Sequence, residues 1–286
     1  YWAPNSNNLI AYRIEPSKIS EVHLPESSPK GGGKAKLHTR SYALPGDKFT
    51  SHELNWFDIE KKLHVKPDVG VIDFHSPNMR WSPDGRTFTY RKVDRGHQRF
   101  RIIEVDILTG KARNIIDEVS KTFIWTYHAK GYGVSRVTWL KKTKEIIYIS
   151  EQDGWRHLYL VDVATGKKKQ ITKGEYVLRY VDKIDEEKRQ IWFRASGRNT
   201  KQDPYLIHYY RINFDGGGLT ALTEGDGTHE FSYSPDRKYL IDTYSRIDMA
   251  PVNELRRVSD GGLVCKLEES DISQLKASGW EAPEVF

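Results

Sequence analysis

Short runs in which apolar and polar residues alternate, each closed by a turn, recur along the whole chain. One begins at Trp81-Ser82-Pro83-Asp84-Gly85, continues through Thr87-Phe88-Thr89-Tyr90 and then through Phe100-Arg101-Ile102-Ile103-Glu104-Val105-Asp106. It turns at Leu108-Thr109-Gly110-Lys111 into a closing strand through Ile116. Alternation of this kind predicts strands with one buried face, and Asp and Gly at the turns suit tight hairpins.

The turn joining the last two strands of each unit gives the period. It stands at Asp58-Ile59-Glu60-Lys61, at Asp106 to Lys111, at Asp162-Val163-Ala164-Thr165-Gly166-Lys167, and in looser form at Asn213-Phe214-Asp215-Gly216 and Ser259-Asp260-Gly261-Gly262. Successive spacings are 48, 56, 51 and 46 residues. The opposite punctuation, at Trp2-Ala3-Pro4-Asn5, Trp81 to Gly85, Trp139-Leu140-Lys141-Lys142, Lys183-Ile184-Asp185-Glu186 and Tyr233-Ser234-Pro235-Asp236, precedes a β run each time: 9–13, 87–90, 145–150, 190–194 and 238–243. Repeats of this length made of four strands predict an all-β fold, a β-propeller of four-stranded blades with about five present. Residues 1–269 are read as blades. The first blade is stretched by the surface excursion Glu26 to Lys34, and residues 270–286 form a short helix, with Ser270 as N-cap candidate and Gly279 as stop, followed by an extended exit.

Composition supports strands over disorder: of 286 residues 37% are hydrophobic and 12% aromatic, with 16 Tyr and 8 Trp. No run reaches the roughly 20 apolar residues of a membrane span. The net charge of +6 does not predict nucleic-acid binding, because basic residues are scattered among 39 acidic ones and the one dense run, Lys167-Lys168-Lys169, flanks a hairpin turn. The single cysteine, Cys265, excludes an internal disulfide and a multi-cysteine zinc site and reads as a small strand residue.

Catalytic signatures are not found. Gly133-Val134-Ser135-Arg136-Val137 lacks the closing glycine of a nucleophile elbow, and there is no zinc-peptidase motif, phosphate loop or histidine pair at ligand spacing. Ser82 to Phe88 is one residue short of a sialidase Asp-box, which weakens a glycosidase reading without removing it. No catalytic residue, metal ligand or cofactor is therefore assigned.

Three stretches carry a resemblance: the Trp-Ser-Pro-Asp-Gly blade opening, Asp153-Gly154-Trp155-Arg156-His157-Leu158-Tyr159 followed by Ile171-Thr172-Lys173-Gly174, and the tail from Tyr244 to Arg256 and Gly279 to Glu284. Together they resemble the N-terminal propeller of the dipeptidyl peptidase IV branch of the prolyl oligopeptidase family. The resemblance implies an eight-bladed propeller, of which this chain is a partial ring, followed by an α/β-hydrolase domain that supplies the Ser–Asp–His triad. It implies a non-catalytic role here, gating and positioning peptide substrates, in an extracytoplasmic protein (periplasmic, secreted or membrane-anchored). Its partners would be the protein's own hydrolase domain and peptides, and open blade edges leave a homodimer open. The family's amine-binding glutamates would lie upstream of Tyr1. Its Phe-Arg pair has no counterpart, only Phe123-Ile124-Trp125-Thr126-Tyr127-His128, of which Phe123, Trp125, Tyr127 and His128 are the substrate-facing candidates, with packing along a blade seam as their alternative role. A stand-alone binding propeller and a five-bladed glycosidase remain the other readings.

Overall fold

A computed structural model describes residues 1–74, 76–126 and 136–284 and divides into two compact units, Tyr1–Ile124 and Trp125–Phe286. In the first unit, β1 (Asn8–Glu15) leads into an exposed hairpin of β2 (Glu21–Glu26) and β3 (Lys36–Ser41), then β4 (Ser51–Asp58) and β5 (Leu63–Val65). β1, β4 and β5 form the first blade. The second is β6 (Met79–Trp81), β7 (Thr87–Val93), β8 (Arg99–Asp106) and β9 (Ala112–Val119).

The second unit holds three blades. They are β10 (Val137–Trp139), β11 (Glu145–Ser150), β12 (His157–Asp162) and β13 (Lys168–Gln170); β14 (Val177–Asp185), β15 (Gln190–Ser196), β16 (Ile207–Asn213) and β17 (Thr220–Ala221); and β18 (Thr228–Tyr233), β19 (Tyr239–Arg246), β20 (Met249–Arg257) and β21 (Leu263–Glu269). Every pairing is antiparallel, and within the blades it joins sequential strands except where the β2–β3 hairpin is inserted between β1 and β4. The fold is an all-β partial β-propeller. Among the described residues no helix is long and apolar enough to cross a membrane.

Turn chemistry accounts for the period. Ser82 Oγ accepts from Thr87 N at 3.0 Å and donates to Thr87 O at 2.9 Å, while Asp84 Oδ1 accepts from Arg86 N at 3.0 Å. Ser234, Asp236 and Tyr239 repeat the arrangement three blades later. At the opposite turn Asp106 Oδ1 accepts from Leu108 N and Thr109 N, as Asp162 Oδ1 accepts from Thr165 N. These bonds satisfy backbone donors that a two-stranded turn would leave to solvent.

Seams between blades bury the apolar faces. Ile10, Leu54, Trp56 and Ile72 pack on Met79, Phe88, Tyr90 and Val105 in the first unit. In the second, Leu158 and Ile171 pack on Leu178, Phe193 and Tyr210, and Trp192, Tyr209 and Leu222 pack on Leu240 and Val258. Tyr209 and Tyr210 are both buried, on opposite faces of β16.

Two details differ from the sequence reading. The first blade has three full strands, its innermost position being held by the single Trp2↔Leu9 bridge; Ala3 N donates to Asn8 O straight away and turns the chain. The helix α1 (Ser273–Ala277) is not capped by Ser270. Its N-cap position is Ile272, which gives no side-chain cap, and Asp271 Oδ1, one residue earlier, accepts from Ser273 N at 2.8 Å.

Candidate functional site

In an antiparallel four-stranded blade, the loop between the second and third strands and the exit from the fourth lie at the same end. In the first unit that end carries a file of rings. Phe49, ahead of β4, meets Phe74 of the β5–β6 connection edge-on at 5.1 Å; Phe74 meets His97 of the β7–β8 loop edge-on at 5.1 Å; His97 meets Phe123, after β9, at 5.1 Å. The Arg95 guanidinium lies 4.6 Å above Phe49, and Ile124 N donates to His97 O at 2.7 Å, which pins Phe123 beside the ring of His97. Phe123 is 53% exposed. A strip of partly exposed ring faces with a cation at its edge can hold apolar and aromatic side chains by stacking.

In the second unit Trp125 is anchored from two sides. Arg136 Nε and Nη2 donate to Trp125 O at 3.1 and 2.9 Å, and Nη1 donates to Ile149 O at 3.1 Å. The Arg156 guanidinium, from the β11–β12 loop, lies 4.9 Å from the Trp125 ring. Burial holds Arg156 below the ordinary arginine value, with Glu151 pulling the other way. Trp125 is half-buried, so its ring is positioned and still presents a face. Of the four residues singled out by sequence, Phe123 belongs to the first unit and Trp125 to the second; Tyr127 and His128 lie outside the described residues.

Sequence reasoning missed a repeated latch at the same end of the third and fourth blades. His157 is buried at the start of β12; its Nδ1 faces Thr172 Oγ1 at 3.0 Å and its Nε2 faces Gly174 O at 2.9 Å. A carbonyl only accepts, so Nε2 carries the proton and the Thr172 hydroxyl donates to Nδ1. Fifty-one residues on, His208 faces Thr223 Oγ1 at 3.4 Å, and Tyr209 N donates to Thr223 Oγ1 as Leu158 N does to Thr172 Oγ1. The recurrence of His-x-Tyr followed by Thr-x-Gly at the blade period was the available signal.

The second latch is incomplete. Gly225 O, the counterpart of Gly174 O, accepts instead from His229 Nε2 at 2.9 Å and from Gly227 N at 3.0 Å. Gly225 must be glycine for this: a Cβ there would overlap the ring of Tyr244. His229 Nδ1 stands 2.7 Å from Asp242 Oδ1, with both side chains fully buried. Asp242 Oδ2 is 3.5 Å from Arg256 Nε, an ion pair without a hydrogen bond, and Arg256 Nε and Nη2 both donate to Glu254 Oε2, at 2.9 and 2.7 Å. Burial works against the Arg256 charge, yet its hydrogen bonds to Glu254 and Glu224 outweigh it and hold the guanidinium above its ordinary value.

His208 is held well below the ordinary histidine range, at about 4, first by burial and then by His229 beside it at 4.6 Å. The unfolded chain therefore takes up the proton first. The contribution of His208 is complete above about pH 6.5 and is lost as pH falls toward the folded value, an acid-side penalty of about 3 kcal/mol. Urea midpoints measured from pH 7.5 to 4.5 should fall less steeply in His208→Gln than in the parent. Parallel profiles would show that His208 does not set this slope.

Among the described residues no group of three His, Cys, Asp or Glu side chains is arranged to hold a metal ion.

Comparison with known proteins adds identity to this geometry. The profile of the dipeptidyl peptidase IV (DPP IV) N-terminal region matches residues 1–251. Dipeptidyl peptidase 4 of Trichophyton equinum is 26% identical over 209 residues, covering 72% of this chain and 26% of the relative. The Trichophyton rubrum protein of the same name gives the same figures. The chain thus spans about a quarter of the length of the curated relatives it matches. The crystal structure of Porphyromonas gingivalis dipeptidyl peptidase 4 shares the fold, with a TM-score of 0.62 at 18% identity over 97% of this chain and 37% of that one.

Proposed function

The chain belongs to the dipeptidyl peptidase IV N-terminal region family, and from that premise we propose that it is the non-catalytic propeller segment of a serine-type dipeptidyl peptidase. In this reading it admits and positions peptides for a C-terminal α/β-hydrolase domain of the same protein. The family match over residues 1–251 carries the reading. Support comes from Phe123, exposed at the end of a file of rings, and from Trp125, held by Arg136 and Arg156 with a face to spare. Both offer a peptide stacking surface and no nucleophile, which is what a positioning segment requires. An extracytoplasmic location, periplasmic, secreted or membrane-anchored, is part of the same proposal. A homodimer is a further part of the proposal: edge strand β21 exposes Leu263, Val264 and Leu267, a surface able to associate.

The full-length protein should release dipeptides from a chromogenic dipeptidyl substrate. Phe123→Ala and Trp125→Ala should each raise KM by about three- to tenfold with kcat nearly unchanged, as expected when one aromatic contact is lost from binding alone. Sedimentation of the same samples reads the oligomeric state. Absence of dipeptide release by the full-length protein would sink the peptidase reading, and unchanged KM in both variants would sink the role of these rings.

A further inference from the structure

A guanidinium at the end of the third blade is half-buried with no acceptor for its donors. Arg156 stands between the exposed Trp155 and the fully buried His157, whose ring nitrogens face Thr172 Oγ1 and Gly174 O. Its own carbonyl accepts from Leu178 N at 3.0 Å, so the backbone that carries the side chain is fixed. The guanidinium lies 4.9 Å from the Trp125 ring. A ring face attracts the charge but supplies no lone pair, so the N–H donors gain nothing from it. Among the described residues Arg156 makes no ion pair and no side-chain hydrogen bond, and its nitrogens keep access to solvent. The latch beside it does not call for a cation: the residue ahead of His208, in the same latch of the fourth blade, is Ile207.

The surroundings add positive charge. Burial disfavours the Arg156 cation first, and Arg136 and Arg179 repel it as like charges; Glu151 opposes them from beyond ion-pair distance. Arg136 gives its donors to Trp125 O and Ile149 O. Arg179 follows Leu178, whose N–H holds Arg156 O; it is exposed and makes no ion pair among the described residues. Arg86, Arg99 and Arg189, by contrast, each sit on a carboxylate. What complements Arg156 is an anion on an apolar stem: the Trp125 ring takes the stem and the guanidinium takes the charge. A carboxylate carried on a peptide has that form, and it pairs with the planar guanidinium through charge-assisted hydrogen bonds.

We propose that Arg156, backed by Arg179, binds a carboxylate of a peptide lying along the Trp125 ring, an acidic side chain or a chain end, and so gives this end of the third blade a charge preference. The inference rests on the peptide-positioning reading above and adds specificity to it. Glu151 competes for the same guanidinium and sets how strong the preference is.

The test uses the full-length protein and alanine pentapeptides, amidated at the C-terminus, that carry Glu or Gln at each position in turn. Titration calorimetry reads binding, and mass spectrometry reads dipeptide release. With Glu at the position facing Arg156, binding should be about tenfold tighter than with Gln. A Gln peptide with a free C-terminus separates the two sources: the same gain there assigns a chain end, and its confinement to the Glu peptides assigns a side chain. Arg156→Gln should bring the ratio of charged to neutral peptide to about one, and Arg156→Lys should keep part of it. Glu151→Gln should enlarge the ratio. Arg179→Gln, at an exposed position, should lower it by about threefold and reads the site even if Arg156→Gln fails to fold. A purely structural Arg156 would weaken charged and neutral peptides alike; an unchanged ratio in Arg156→Gln, or no preference for any carboxylate in the parent, overturns the proposal. Release from none of the peptides would sink the peptidase reading, while calorimetry would still decide the role of Arg156.

Discussion

Replacing Arg256 with methionine is expected to destabilise the fifth blade by about 3–5 kcal/mol, the cost of removing one partner from a buried ion network. Arg256 is 3% exposed, and it is the cation between two buried carboxylates, Asp242 at 3.5 Å and Glu254 at 2.7 Å. It also donates to Gly261 O at 3.0 Å, closing the β20–β21 turn. Methionine matches much of the volume, so the loss measured is mainly electrostatic. Two carboxylates are left in the interior with only His229 to offset Asp242. Arg256→Lys should recover little, because an ammonium cannot direct two N–H bonds onto Glu254 Oε2 and reach Gly261 O together. The double variant Arg256→Met/Glu254→Gln removes one stranded charge and should regain a substantial part of the loss. Urea unfolding of all three variants checks this. A loss below about 1 kcal/mol in Arg256→Met, or no recovery in the double variant, would show that the network contributes little.

How much of this was legible beforehand depends on the range over which each signal acts. Ser82, Asp84, Asp106 and Asp162 bond to backbone within five residues of themselves, so the turns, the period and the blade count could be read from local residue types. The missing fourth strand of the first blade was not legible. Trp2-Ala3-Pro4-Asn5 has the residue types of a blade opening, and only the register shows that its inner strand amounts to one bridge at Trp2↔Leu9. Phe123 and Trp125 could be nominated because aromatics clustered in an inter-blade connection stand out. The partners that orient them, His97 and Arg156, come from loops 26 and 31 residues away and have no pattern linking them to those rings. The latch histidines are the opposite case. His157 and His208 stand one blade period apart with Thr172 and Thr223 in step, a regularity visible in the sequence; yet the difference between them arises because Gly225 O is captured by His229 of the next blade. That capture is a tertiary event, and no local rule announces it.

Gly261→Ala is the second large expected effect, and it tests the seam between the fourth and fifth blades through backbone alone. Gly261 closes the β20–β21 turn at φ +76°, donating to Arg257 O at 2.9 Å. A Cβ there would overlap the Ala221 carbonyl oxygen, with Ala221 C at 3.0 Å and Leu222 Cα at 3.1 Å. All three atoms are main chain of the neighbouring blade, so no side chain can swing aside. Either the turn withdraws, carrying Gly261 O away from Arg256, or β17 shifts and disturbs Leu222 in the seam with Leu240 and Val258. The left-handed conformation alone should cost about 1 kcal/mol, and forced overpacking adds roughly 1–3 kcal/mol or more. Gly110→Ala supplies the control: it occupies the corresponding turn of the second blade at φ +67°, and a Cβ there would meet nothing within 4 Å. Thermal and urea unfolding should therefore show a loss of about 1 kcal/mol for Gly110→Ala and two to four times that for Gly261→Ala. Equal losses would mean that the two turns differ only in conformation and that the blade seam yields freely at Ala221. A larger loss at 261 locates rigidity in the backbone contact that brings the fifth blade against the fourth.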